Sequence, residues 1–270
     1  MSGPADDRAR SAGPGRLAVV TGASTGIGLE LARCLSRDGW TVVAAADEER
    51  IHDTARELSA EGRGHVQAVQ TDLATREGVD ALAREVAGRS ETLGAVVLNA
   101  GAAAHGRSDE VPLGDDLRVV DLNVRGVVHL LKLLLPDLLA HGWGRVLVTS
   151  SVASAAPGPH QATYDASKAF VHTYALAVRE ELRGTGVTVT SARPGPVDTP
   201  FFARAGMLRT RLASSTPKDS PETVARDAYE AMLDGRATLV PGSSLVRVQD
   251  TATRLLPDPL RARLLARFTR

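Results

Sequence analysis

The chain has one cysteine, Cys34, in 270 residues. A lone thiol cannot close an internal disulfide, so no disulfide scaffold is possible and a reducing, cytoplasmic setting is expected. Cys34 itself reads as a small core hydrophobe. Aromatic residues make up only 3% of the chain, and lysine is scarcer still: Lys132, Lys168 and Lys218 among thirty-two basic residues. Formal net charge is zero with both signs interspersed. That excludes the basic footprint of a nucleic-acid binder. The seven histidines show no metal-ligand spacing, so no metal is expected. No apolar run is long enough to span a bilayer. The most apolar stretch, 127–139, is interrupted by Lys132 and Pro136 and reads as a buried interface helix.

Against that background of scarce lysine and tyrosine, Tyr164 and Lys168 stand four residues apart. On a helix this spacing puts both side chains on one face. A neighbouring ammonium favours the phenolate, so the tyrosine pKa is expected to fall from its reference of about 10. That would make Tyr164 a usable proton donor and acceptor near neutrality. Where arginine is the usual cation, a lysine at this position points to a need for a compact ammonium. Ser151, thirteen residues before the tyrosine, could hydrogen-bond a substrate oxygen.

Upstream, residues 17–20 form an apolar run that reads as a buried strand. It leads into Thr21-Gly22-Ala23-Ser24-Thr25-Gly26-Ile27-Gly28 and then an amphipathic helix. Strand, glycine turn and helix make the opening of a dinucleotide-binding unit. Glycines let the backbone approach a pyrophosphate, and the helix N-terminus offers free N–H groups and a positive dipole end. Apolar runs continue near 41–45, 65–70, 94–98, 144–149, 187–193 and 237–240, with helical patterns near 26–38, 48–61, 75–89, 115–141, 160–184 and 220–234. The alternation predicts an α/β fold, a doubly wound parallel sheet of about seven strands with helices on both faces. Residues 1–15, polar and rich in Gly and Pro, are expected to be a disordered leader. The catalytic domain is expected over 16–245, with a lid at 196–219 and a helical tail at 246–270.

Together these motifs resemble the short-chain dehydrogenase/reductase family in its single-domain form, over roughly residues 15–240. The resemblance rests on the glycine motif, on Ser151, Tyr164 and Lys168, and on Asn123 within Asp121-Leu122-Asn123-Val124. It rests also on Asn99-Ala100-Gly101, where Leu98 replaces a further Asn, and on Pro194-Gly195-Pro196-Val197-Asp198-Thr199. It implies hydride transfer between a nicotinamide dinucleotide and a small-molecule carbonyl or secondary alcohol. Tyr164 would exchange the proton, Ser151 would orient the substrate oxygen, and Lys168 would lower the phenol pKa and hold the nicotinamide ribose. Asn123 would hold a water linking Lys168 to solvent. The dinucleotide contacts it implies are Gly22, Ser24, Thr25, Gly26, Ile27, Gly28, Asp72, Leu73, Asn99, Ala100, Gly101, Tyr164, Lys168, Pro194, Gly195, Val197 and Thr199. It further implies helix pairing across two-fold axes, as a homodimer or homotetramer.

Asp47, after the second apolar run, can accept from the adenosine ribose hydroxyls and repel a 2′-phosphate, so NAD is the expected cofactor and NADP the alternative. Asp47 could equally cap the following helix, and Arg50 could turn toward a phosphate. Phe201, Phe202, Met207 and Leu208 form an apolar roof that favours a lipophilic substrate, unless two of them dock the lid onto the body. His160 could line the pocket. The other functions weighed are a non-catalytic dinucleotide sensor and a membrane-surface protein. The second follows from a basic tail in which Leu260, Leu264 and Phe268 share one helical face.

Overall fold

The structure is a computed structural model, and it describes residues 16–208, 210, 218–243 and 257–266. The expected leader and most of the expected tail lie outside these residues, as does part of the expected lid. Seven parallel strands run β1 (Arg16–Thr21), β2 (Thr41–Ala46), β3 (Val66–Gln70), β4 (Thr92–Leu98), β5 (Gly144–Thr149), β6 (Val187–Ala192) and β7 (Thr238–Leu239). Their order in the sheet is β3-β2-β1-β4-β5-β6-β7. The helices are α1 (Gly26–Arg37), α2 (Ile51–Glu61), α3 (Arg76–Ala87), α4 (Leu113–Val120), α5 (Val127–Ala140), α6 (Ala162–Glu181), α7 (Phe201–Arg204), α8 (Pro221–Leu233) and α9 (Asp258–Leu265). Among the described residues, no helix is long and apolar enough to cross a membrane.

The central strands β1, β2 and β4 are mostly apolar because both faces of the sheet are covered there. Successive side chains point to opposite faces. Leu17 and Val19 of β1 join one core, with Val43 and Ala45 of β2 and the apolar sides of α3, α5 and α6. Ala18 and Val20 join the other, with Val42 and Ala44 and the apolar sides of α1, α2 and α8. β1 pairs with β2 on one side and β4 on the other. Chain order therefore reverses at β1, and a crevice opens at the carboxyl ends of β1 and β4.

The helix expected over 115–141 is not continuous. A π-helical turn, Asp121–Gly126, separates α4 from α5. Local causes are visible. The Asn123 side chain is held from outside the helix, bonded to the backbone of Ala102 on both sides. Gly126 passes so close to the neighbouring loop that an added Cβ would stand 2.5 Å from the Leu73 carbonyl oxygen. The extra residue in the turn reconciles these two anchors with the apolar register of α5. α2 begins at Ile51, later than expected, with Arg50 at its N-cap. Asp47 is therefore not a helix cap.

Candidate active site

The floor of the crevice is built at the ends of three adjacent strands. The Thr21 hydroxyl donates to the Val97 carbonyl and accepts from the Asn99 and Ala100 N–H groups at 2.9 and 3.0 Å. The Asn99 amide donates to the Thr21 carbonyl at 3.1 Å, and its Oδ1 accepts from the Thr149 hydroxyl at 3.1 Å. Above this floor lies the glycine turn. Gly22 and Gly26 both have positive φ, at 65° and 59°. A Cβ on Gly22 would meet Ala100 Cα at 2.9 Å, and one on Gly26 would meet Thr199 Cγ2 at 2.7 Å. Thr25 stands at the N-cap of α1, yet its side chain accepts none of the first-turn N–H groups. A backbone cradle with open donors fits a pyrophosphate.

Tyr164 and Lys168 lie on α6, one turn apart. Lys168 is buried, and its Nζ donates to the Thr149 carbonyl at 2.9 Å. It stands 5.9 Å from the centroid of the Tyr164 ring. Burial lowers the Lys168 pKa to about 8. Burial raises the Tyr164 phenol pKa above the ordinary tyrosine value, and the neighbouring Ser151 only partly offsets it. The lowered phenol expected from the lysine spacing is therefore corrected for the ligand-free cleft. Desolvation outweighs the effect of Ser151, and the ammonium is directed to Thr149 rather than to the phenol oxygen. Ser151 also accepts from the Ala153 N–H at 3.1 Å, at the start of a 3₁₀ turn, Val152–Ala155.

Asn123 is buried beneath this group. Its Nδ2 donates to the Ala102 carbonyl and the Ser167 hydroxyl, both at 2.9 Å, while its Oδ1 accepts from the Ala102 N–H at 2.8 Å. Both side-chain donors are thus spent on the protein. Gly101 fits between this amide and the lysine, since its Cβ would stand 3.1 Å from Lys168 Nζ and 3.3 Å from Asn123 Oδ1.

Every residue expected to contact the dinucleotide lines one crevice of about 990 Å³, except Gly28, which packs behind the turn against Gly22 and Asn99. Ile27, Leu73, Pro194, Gly195 and Val197 are all on its walls. At the adenosine end Asp47 and Asp72 do not stand free. Arg118 Nη1 donates to Asp72 Oδ2 at 2.9 Å, and its Nη2 donates to Asp47 Oδ2 at 3.1 Å. Burial pushes the Asp72 carboxyl up, but Arg118 and the Ala74 N–H together hold it below the usual range. Glu48 accepts from Ser24 Oγ at 3.0 Å and pairs with Arg204 of α7 at 2.7 Å. Sequence reasoning missed Arg118 and Arg204. Nothing local marks them among the many arginines, because their partners are distant in the chain.

At the other end, Phe201 leans on Tyr164 with ring centroids 5.5 Å apart. Phe202 and Met207 are buried in a small cluster with Ala205, and Leu208 is exposed. Two of the four roof residues thus dock the segment onto the body. The histidine lining the crevice is His105, not His160. His160 stacks on it at 6.2 Å and has a left-handed backbone, φ 67°. Asp165, next to the tyrosine, was not anticipated either. It is buried, accepts from Gln161 Nε2 at 2.9 Å, and has its other oxygen packed against Gly158 without a bond of ordinary geometry. From the tail, Arg261 of α9 donates to the Ala155 carbonyl, so this part of the tail lies against its own domain at the crevice rim.

Comparison with known proteins agrees with this geometry. Residues 16–207 match the family model for short chain dehydrogenase. Sulfoacetaldehyde reductase 2 from Chromohalobacter salexigens is 34% identical over 188 residues, 68% of this chain and 74% of the relative. An alcohol dehydrogenase from the archaeon Thermococcus sibiricus, complexed with 5-hydroxy-NADP, is 29% identical with a TM-score of 0.73, covering 85% of this chain and 97% of that one. A short chain dehydrogenase/reductase from Burkholderia phymatum, in complex with NAD, is 25% identical with a TM-score of 0.80, covering 89% and 92%. The chain belongs to the short-chain dehydrogenase/reductase family, and it is an oxidoreductase.

Burial raises the Asp165 carboxyl to about 8, against the opposing bond from Gln161 and the nearby Gly158 backbone. A carboxyl raised above its unfolded value keeps a proton that the unfolded chain releases. Its contribution to stability is present below the unfolded pKa of about 4 and is lost as pH rises toward 8. Asp165→Asn has no proton to lose. Its stability relative to the wild type should therefore climb between about pH 4 and pH 8 and level off above. Urea unfolding of both proteins at several pH values checks this, and parallel curves across that window would refute the raised carboxyl.

Proposed function

We propose that Tyr164, Ser151, Lys168 and Asn123 carry out reversible oxidation of a secondary alcohol, or reduction of its ketone, with NAD preferred over NADP. A nicotinamide dinucleotide, when bound, supplies the hydride acceptor or donor. One observation carries the assignment: Ser151, Tyr164 and the buried Lys168 line the same crevice as the glycine cradle. Ser151 holds the substrate oxygen beside the phenol, and Tyr164 gives or takes the proton there. Lys168, once charged, favours the phenolate and supports the nicotinamide ribose. Asn123 fixes the Ala102 loop and Ser167, and only the second lone pair of its Oδ1 remains for a water. Asp47 receives the adenosine ribose hydroxyls.

The substrate is a lipophilic carbonyl or alcohol. The wall beyond Tyr164 is made of Ala103, Val152, Ala153, Ala156 and Phe201, and His105 is its main polar group. The protein works in the cytoplasm as a homodimer or homotetramer. Leu133 and Leu139 of α5 and Phe170 of α6 are 42, 38 and 45% exposed, an outward apolar face on the helices that the family pairs.

A panel of ketones and secondary alcohols, followed by nicotinamide absorbance with each cofactor, tests the reaction. Tyr164→Phe keeps the ring and removes the proton, so turnover should fall at least about 100-fold with dinucleotide affinity nearly unchanged. Near-normal turnover in that variant would sink the mechanism. Calorimetric titration should show NAD binding more tightly than NADP, and the reverse order would refute the role given to Asp47. Light scattering should report a dimer or tetramer at micromolar concentration, and a monomer there would overturn the assembly.

A further inference from the structure

The end of the crevice that holds Asp47, Glu48 and Asp72 is acidic by sequence, yet each of these three acids has a cation. Glu48 is committed to Ser24 and Arg204. Asp47 has Arg118 as its side-chain partner, at 3.1 Å. Asp72 is held more firmly than Asp47. Its Oδ1 accepts from the Ala74 N–H at 2.9 Å, and both of its oxygens meet the guanidinium, at 2.9 and 3.4 Å. Asp72 is also the less exposed of the two, 37% against 54% for the side chains. The fork is therefore asymmetric. Asp72 anchors Arg118, and Asp47 is the partner that can be exchanged.

Resting on the reading that this crevice binds a nicotinamide dinucleotide, we infer that Arg118 is the specificity-determining residue that lets NADP in despite Asp47. Asp47 directly follows β2, the strand that pairs with β1 ahead of the glycine turn, where a carboxylate would face the adenosine ribose. A 2′-phosphate arriving there meets a guanidinium already aimed at the same spot. Arg118 keeps Asp72 and trades Asp47 for the phosphate, so one charge-assisted pair replaces another. With a plain ribose, no trade occurs. The ribose hydroxyls then donate to the remaining lone pairs of Asp47. Arg50, the cation considered from sequence, is not needed for this role. Arg118 reaches the same place from α4, far along the chain.

The test titrates NAD, NADP, 5′-AMP and 2′-AMP into the full-length wild-type protein, Arg118→Gln and Arg118→Lys, by calorimetry at two salt concentrations. In Arg118→Gln, NADP and 2′-AMP should weaken at least about tenfold, while NAD and 5′-AMP stay within about threefold. The wild-type preference should drift further toward NAD as salt rises, because salt screens the attraction between the guanidinium and the doubly charged 2′-phosphate, which NAD lacks. The Gln variant should lose that salt dependence. Arg118→Lys keeps a charge without the fork and should fall between the two. NAD binding is the internal check on folding, and should Arg118→Gln not fold, the lysine variant reads the same contrast. Equal weakening of NAD and NADP in Arg118→Gln would make Arg118 a mere brace and overturn the inference. So would wild-type NAD binding with no measurable NADP binding, which leaves the dinucleotide reading intact. Failure of the wild type to bind either dinucleotide would bring down both.

Discussion

Thr149, the last residue of β5, is where floor and chemistry meet. Its hydroxyl donates to Asn99, which ties β4 back to the first turn of the glycine loop. Its carbonyl accepts from the buried Lys168 ammonium. One residue therefore sets the height of the lysine relative to the cradle. These groups are almost dry, and an unmade bond to a buried polar group costs on the order of 1–3 kcal/mol. The strand ends cannot shift independently without leaving such a group unpaired. That rigidity is what a hydride-transfer site needs, because reacting atoms must be held close together.

The same dryness sets the electrostatics. Burial pushes Lys168 down, Tyr164 up and Asp165 up, so all three drift toward their neutral forms. Burial thus weakens the charged form of each of the three groups. Spacing on a helix correctly places the cation near the phenol, but which interaction wins depends on where the ammonium points and how much water remains. Here Thr149 has the ammonium, and desolvation dominates the phenol. A negatively charged group brought in beside Lys168 would restore its full charge, and that charge would then act on the phenol across little water.

Much of the fold was legible because both of its periodicities are strong. Strands buried on both faces leave unbroken runs of Val, Leu and Ala, as in 17–20 and 42–46, and most joins carry a glycine. The break in the helix around Asn123 was not legible. It arises from anchors to Ala102 and Leu73, and no residue within the helix announces them. The cleft residues of the glycine loop and of the Asn99 and Pro194 segments were readable because local backbone shape demands particular residue types there. Arg118 and Arg204 were not, since a surface arginine on a helix looks the same whether its partner is solvent or a carboxylate seventy residues away. Asp165 was hidden by its neighbour: beside a tyrosine of obvious interest, it reads as an ordinary polar position on a helix. The apolar segment after Thr199 allowed two readings, and packing divides it between them: Phe202 and Met207 dock it, while Phe201 faces the tyrosine.

Along its length the crevice changes character in a way that assigns labour. At the end that holds Asp47 and Asp72, carboxylates and guanidinium groups are paired and partly solvated, so a partner can be exchanged at low cost. In the middle, hydrogen bonds are buried and fully committed, and exchange there would leave a donor unmade. Beyond Tyr164 the walls are small and apolar, so little is lost when they are reshaped. Discrimination between cofactors can therefore be tuned at one end and between substrates at the other without disturbing the centre. A fold that keeps its committed hydrogen bonds between two adjustable ends can alter what it binds while the spacing of Ser151, Tyr164 and Lys168 stays fixed.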